Sequence, residues 1–381
     1  MADHLHPVHQ ANASSPYGSL SRHEFYLKHR ILHQESFFPG RLTNSTLFTQ
    51  SWRPAPPSTV RGVVAMLHGY VAESSSLFEL TAVAFARLGF LAVSLDYPGH
   101  GRSSGSRGYL PSSSLLVSDV ISFFDSFIAG ALDLPAFLYG ESLGGAIAVL
   151  IAAEQRQKWR GLVLNAPLCG VAARFKPPWP LELLLPAVAA VTPWWRVVVT
   201  KNPVDASYKE KWKRKLLRRS PSAQRLEHPP AATARQLLRL CEEVQRRGEE
   251  VEAAVLVVHG GDDGVCDVAA AAEFFRAAKS ADKTMRVLPG VWHMLVGEPE
   301  ETVEKGFGII FERGIHDGSM RKAVLLAPPS VLFDDGWTDG VQLKEIVDFE
   351  DLEQIHRRFS SLGEQDSRHL TDIDADILTR D

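Results

Sequence analysis

The 381-residue chain is 45% apolar and 23% charged, with a formal net charge of −4. This is ordinary for a soluble globular protein, long enough for one large α/β domain with insertions or for two domains. No overall basic footprint for nucleic acid is present, and Cys169, Cys241 and Cys266 stand at unrelated spacings, forming neither a disulfide framework nor a CxxC metal motif.

Charge is unevenly spread. The 67 residues after Gly314 carry 15 acidic and 7 basic side chains, whereas the preceding 314 carry 30 and 34. A boundary near Gly314 therefore separates a mildly basic body from an acidic tail. At the other end, residues 1–30 are expected to be a disordered segment, because the first twenty are rich in His, Ser and Ala. Their histidines share no fixed spacing and read as solvated. The opening MADHLHPVHQ lacks an apolar signal core, so a reducing, cytoplasmic setting is expected.

In chain order, Thr46–Trp52 and Arg61–Leu67 read as strands joined by a proline-rich turn. The second ends at His68-Gly69-Tyr70, and an apolar-periodic helix follows over about 75–88. The strand Phe90–Leu95 ends in Asp96-Tyr97-Pro98-Gly99-His100-Gly101-Arg102-Ser103. A helix near 112–127 leads to a strand at Phe137, and Gly161–Asn165, Ala254–His259 and Thr284–Leu288 are further strands. Alternation at this rhythm predicts an α/β fold with a doubly wound, mainly parallel sheet, and function at the carboxyl ends of its strands.

The stretch Phe137-Leu-Tyr-Gly-Glu-Ser-Leu-Gly-Gly-Ala146 organises the rest. It is an apolar strand turning through Gly-x-Ser-x-Gly straight into an apolar helix, the pattern of a nucleophile elbow. A serine at so tight a turn occupies strained backbone, and neighbours two positions away must lack side chains. Gly140 and Gly144 meet that demand around Ser142. The helix head behind the serine favours developing negative charge.

An acyl-transfer site also needs a base and an acid that orients it. Asp262 and Asp263 follow the strand ending at His259, and His293 follows the last strand. The order Ser…Asp…His is the one this fold uses, and local chemistry does not choose between the two aspartates. For the oxyanion, the backbone N–H of Leu143 and that of Tyr70 are the candidates.

Taken together, Leu47-Phe-Thr-Gln-Ser-Trp52, His68-Gly-Tyr70, Gly99-His-Gly-Arg-Ser103, Tyr139-Gly-Glu-Ser-Leu-Gly-Gly-Ala146, His259-Gly-x-x-Asp263, Lys279-Ser-Ala-Asp-Lys-Thr284 and Gly290-x-x-His293 with Gly297-Glu-Pro299 resemble one family. It is the plant branch of the monoacylglycerol lipases, which includes caffeoylshikimate esterases, within the α/β-hydrolase (serine aminopeptidase-type) fold. The resemblance spans about residues 31–313. It implies a Ser142–His293–Asp263 triad, with the aspartate at 263, and no cofactor or metal. One departure stands out: the family usually has a second glycine where this chain has Val71. Should that position need positive φ, valine is strained there and the oxyanion loop reshaped.

The segment about 169–230 is too long for a plain crossover connection and resembles the family's cap over the acyl pocket. Its proline-broken apolar runs, from Pro177 to Pro186 and from Val191 to Trp195, are too short and interrupted to span a membrane. They would admit a greasy or aromatic acyl group and offer peripheral contact with a bilayer. The basic run Lys209–Lys215 reads as a solvated helix face. In the tail, Ile346, Phe349, Leu352, Ile355 and Phe359 fit one amphipathic helix in an otherwise disordered segment. The expected function is a serine carboxylester hydrolase acting on a monoacylglycerol or related small acyl ester. A phenolic-ester hydrolase of the caffeoylshikimate type, an acyltransferase on the same triad, and a non-catalytic hydrolase-fold receptor are the alternatives.

Overall fold

A computed structural model describes residues 4–314, apart from 111, 132–133, 177–180, 197–201 and 221–227. The acidic tail and its expected helix lie outside the described residues. The framework is an eight-stranded sheet of β1 (Ile31–Gly40), β2 (Ser45–Pro54), β3 (Gly62–Leu67), β4 (Phe90–Leu95), β5 (Ala136–Glu141), β6 (Gly161–Asn165), β7 (Ala254–Gly260) and β8 (Lys283–Leu288). Their order is β1-β2-β4-β3-β5-β6-β7-β8. β1–β2 and β2–β4 pair antiparallel, and every later pair is parallel. This is the α/β-hydrolase sheet expected from the alternation of strands and helices.

Side-chain alternation along a strand supplies both faces. Val63, Ala65 and Leu67 of β3 enter one apolar cluster, while Val64 and Met66 enter the other. Both faces must then be covered, which is why the central strands read as unbroken apolar runs. The first cluster is closed by α3 (Ser113–Ile128), α4 (Leu143–Glu154), α8 (Ala231–Arg247) and α9 (Val268–Ala277). The second is closed by α1 (Arg22–His29), α2 (Ser76–Arg87) and α10 (Glu300–Gly314). Between β6 and α8 the chain forms α5 (Leu181–Val191), α6 (Pro203–Ser207) and α7 (Lys211–Arg219).

Residues 4–30, expected to be disordered, are folded onto the body. Ser21 starts α1 with a reciprocal capping box to Glu24. The fully buried Glu79 of α2 accepts hydrogen bonds from Tyr17 Oη at 2.9 Å, Arg22 Nε at 3.0 Å and the Tyr26 hydroxyl. His6, read as solvated, is buried, with its ring against Phe307 at 4.2 Å. The segment is poor in apolar residues but brings the partners a buried carboxylate needs. Local composition cannot register bonds made across more than fifty residues.

A second correction concerns the basic run. Lys213 of α7 is buried, and its Nζ donates to the carbonyls of Val296 and Glu298. Lys209 Nζ donates to Gly290 O at 2.7 Å. These lysines brace the loop that carries His293 rather than facing only water.

Candidate active site

Ser142 stands between β5 and α4 with φ 53° and ψ −116°, a conformation costly to any side-chain-bearing residue. The geometry around it explains its glycines. A Cβ on Gly140 would lie 2.4 Å from Gly144 O, and one on Gly144 would lie 2.0 Å from Leu67 O. Neither space exists for a side chain. Leu143 is the first residue of α4, where a backbone N–H has no intrahelical acceptor.

The loop after β3 lies against the serine. A Cβ on Gly69 would come within 3.3 Å of Ser142 Cβ. Ala72 N donates to Gly69 O at 3.2 Å, closing a four-residue turn whose third position is Val71 at φ 64°. Turns of this kind call for glycine there, so the departure seen in the sequence falls on a left-handed residue. A β-branched residue at positive φ costs about 1–3 kcal/mol. Replacing Val71 by glycine is therefore expected to raise stability by about 1 kcal/mol, after the extra freedom glycine gives the unfolded chain is counted. Thermal or urea unfolding measures this, and a less stable variant would show that Val71 packing outweighs its strain.

Of the two neighbouring aspartates, Asp263 meets the imidazole. His293 Nδ1 donates to Asp263 Oδ2 at 2.7 Å, and both side chains are buried. The other carboxylate oxygen accepts Val265 N at 2.7 Å and Cys266 N at 3.0 Å. Burial alone would raise this acid, but His293, then His259 and the Val265 N–H, hold it below the usual carboxylate range. Asp262 is exposed and turns its carbonyl to Arg174.

Ser142, His293 and Tyr70 line one cavity, whose walls are mainly aliphatic: Leu77, Leu168, Leu185, Val204, Leu217 and Val296. Tyr70 anchors its ring by donating to Gly108 O at 2.9 Å. Two further residues were not singled out by sequence. Cys266, from a set of cysteines with no legible spacing, places Sγ 3.8 Å from Ser142 Oγ. Glu141, the x of the elbow motif, lines the cavity while buried to 1% exposure. Asp263, Cys266 and His293 bring a carboxylate oxygen, a sulfur and a ring nitrogen within 4.8 Å of one another. Burial pushes the Cys266 thiol well above its ordinary range.

The sequence model of the serine aminopeptidase, S33 family (Hydrolase_4) matches residues 58–300. The chain belongs to this family. Within the family it is 30% identical over 292 residues to the caffeoylshikimate esterase of Arabidopsis thaliana, covering 76% of this chain and 87% of that protein. To the monoglyceride lipase of Homo sapiens it is 30% identical over 276 residues, covering 68% and 84%. A solved monoglyceride lipase from Saccharomyces cerevisiae shares the fold, with a TM-score of 0.64 at 20% identity over 73% of this chain and 92% of that one. These relatives place this S33 protein among carboxylic ester hydrolases. Among the described residues no helix is long and apolar enough to cross a membrane.

Proposed function

We propose that the protein hydrolyses a monoacylglycerol or related small acyl ester through Ser142, His293 and Asp263. The observation that carries this reading is the Asp263–His293 hydrogen bond beside a strained serine, with serine and histidine opening on one aliphatic cavity. In the first half-reaction His293 takes the Ser142 proton as Oγ attacks the ester carbonyl. Asp263 keeps the Nδ1 proton in place, so that Nε2 is the free base. The N–H groups of Tyr70 and Leu143 receive the oxyanion. His293 then gives its proton to the departing alcohol, and water, activated the same way, releases the acid from Ser142.

Aliphatic walls suit an alkyl chain, while similarity to a caffeoylshikimate esterase supports a phenolic ester as the second reading. The segment between β6 and α8 is proposed as the cap. Its α5 packs Leu185 and Ala189 onto α8, while Leu183, Leu184 and Val191 of α5 and Trp194 and Trp195 just beyond it are exposed. Such a surface supports peripheral contact with lipid. The test is one panel of a monoacylglycerol in vesicles, caffeoyl shikimate and a short p-nitrophenyl ester. The monoacylglycerol is expected to give the highest kcat/KM, reduced by Leu184→Ser with Trp195→Ser only when presented in vesicles. Preference for the phenolic ester would move the assignment to the second reading. Product transfer to added glycerol in place of water would make the protein an acyltransferase.

A further inference from the structure

A buried run of polar side chains leads from the N-terminal segment to the elbow. Val8 N donates to His6 Nδ1 at 3.2 Å, which leaves the ring proton on Nε2. That Nε2–H faces Thr81 Oγ1 at 3.1 Å. Having accepted there, the Thr81 hydroxyl keeps its own proton to offer to the Tyr139 phenol oxygen, whose acidity it favours. Asn165 Nδ2 donates to the same oxygen at 3.4 Å. The Tyr139 hydroxyl in turn donates to Glu141 Oε1. Every proton points the same way, toward the carboxyl that sits one residue before Ser142. His6, Thr81, Tyr139 and Glu141 are each no more than 1% exposed, so bulk water does not compete for these partners.

We propose that Glu141 is a positioning residue for His293, a second carboxylate whose charge is set by this chain and hence by His6 in the N-terminal segment. Glu141 lines the cavity with Ser142 and His293, and its carboxyl and the imidazole interact electrostatically. Burial pushes the Glu141 acid up to about 7, against the Tyr139 and Asn165 hydrogen bonds and the nearby His293. Each donor withdrawn from the chain leaves less of the carboxyl ionised. An ionised Glu141 favours the imidazolium that forms as His293 accepts the serine proton. The other groups facing this pair are Tyr97 and Tyr208 on the Glu141 side, and Asp263, His259 and Cys266 on the His293 side. At the far end, His9, Arg87 and Lys213 face His6.

The proposal rests on His293 being the base, so two readouts are taken. One is the acid limb of kcat/KM against pH. The other, independent of turnover, is the NMR titration of the His293 ring in the full chain carrying Ser142→Ala. Glu141→Gln is expected to move both to lower pH by about half a unit or more, because a negative charge beside the imidazole is removed. His6→Ala and Thr81→Val should move them the same way by less, and add nothing in the Glu141→Gln background. A purely structural chain would lower Tm and leave both titrations in place, which would overturn the proposal. Should Glu141→Gln fail to fold, Tyr139→Phe removes one donor and carries the same expectation. A His293 titration that shifts in a protein with no esterase activity would sink the hydrolase reading while leaving the coupling intact.

Discussion

Ser142→Ala is expected to lower kcat by up to about a million-fold, because residues of a triad act as a unit and losing one forfeits most of their joint effect. Labelling by a fluorophosphonate probe should vanish in the same variant. Stability should hold, since the serine side chain contributes no cap to α4 and alanine meets the same strained φ of 53°. The residual rate should still exceed the uncatalysed one, because the Tyr70 and Leu143 N–H groups remain. Undiminished labelling would mean that another nucleophile reacts and that the elbow serine is structural. Cys266, 3.8 Å away, would be the first residue to examine.

The second large effect distinguishes two adjacent acids. Asp263→Asn should cost about 10⁴-fold in kcat, since an amide in place of the carboxylate favours the wrong tautomer of the histidine. Asp262→Asn should change little, its side chain being exposed. Stability gives a separate signature. The carboxyl of Asp263 is held below its ordinary range, so it stabilises the fold above the unfolded-state pKa, and that contribution is lost as pH falls through the folded one. Asp263→Asn should therefore flatten the acid side of a stability–pH curve. Equal kinetic damage from both substitutions would reopen the choice that spacing alone leaves undecided.

The strands from β3 to β7 were legible because each is almost wholly buried and bounded by turn residues, and β8, half-buried at the sheet edge, because it is bounded the same way. β1 was not, since six of its ten positions are exposed and its apolar residues follow no period. The elbow could be read because its requirement is local: three residues in five positions satisfy it. Glu141, by contrast, draws its meaning from Tyr139, Asn165 and Thr81, which lie on three different elements. Lys213 shows the same limit. Five of the seven residues at 209–215 are Lys or Arg, which reads as a wet surface, yet one of them ends on carbonyls more than eighty positions away. Charge patterns report solvent exposure on average and fail where a single long side chain reaches an uncapped backbone.

The contact between Gly144 and the end of β3 fixes a distance. Leu67 O and His68 O would stand 2.0 and 2.7 Å from a Cβ at Gly144, so two backbones touch with no side chain between them. Main-chain contacts neither repack nor change rotamer, so the loop bearing Tyr70 and the turn bearing Ser142 must shift together or not at all. Leu185, Val204 and Leu217, which wall the same cavity, belong to α5–α7 and lie outside that contact. Replacements among them can reshape what the cavity admits while the spacing between Ser142 and the Tyr70 loop stays constant. On the proposed reading, substrate range is therefore mechanically insulated from the catalytic groups, and the first can drift without detuning the second.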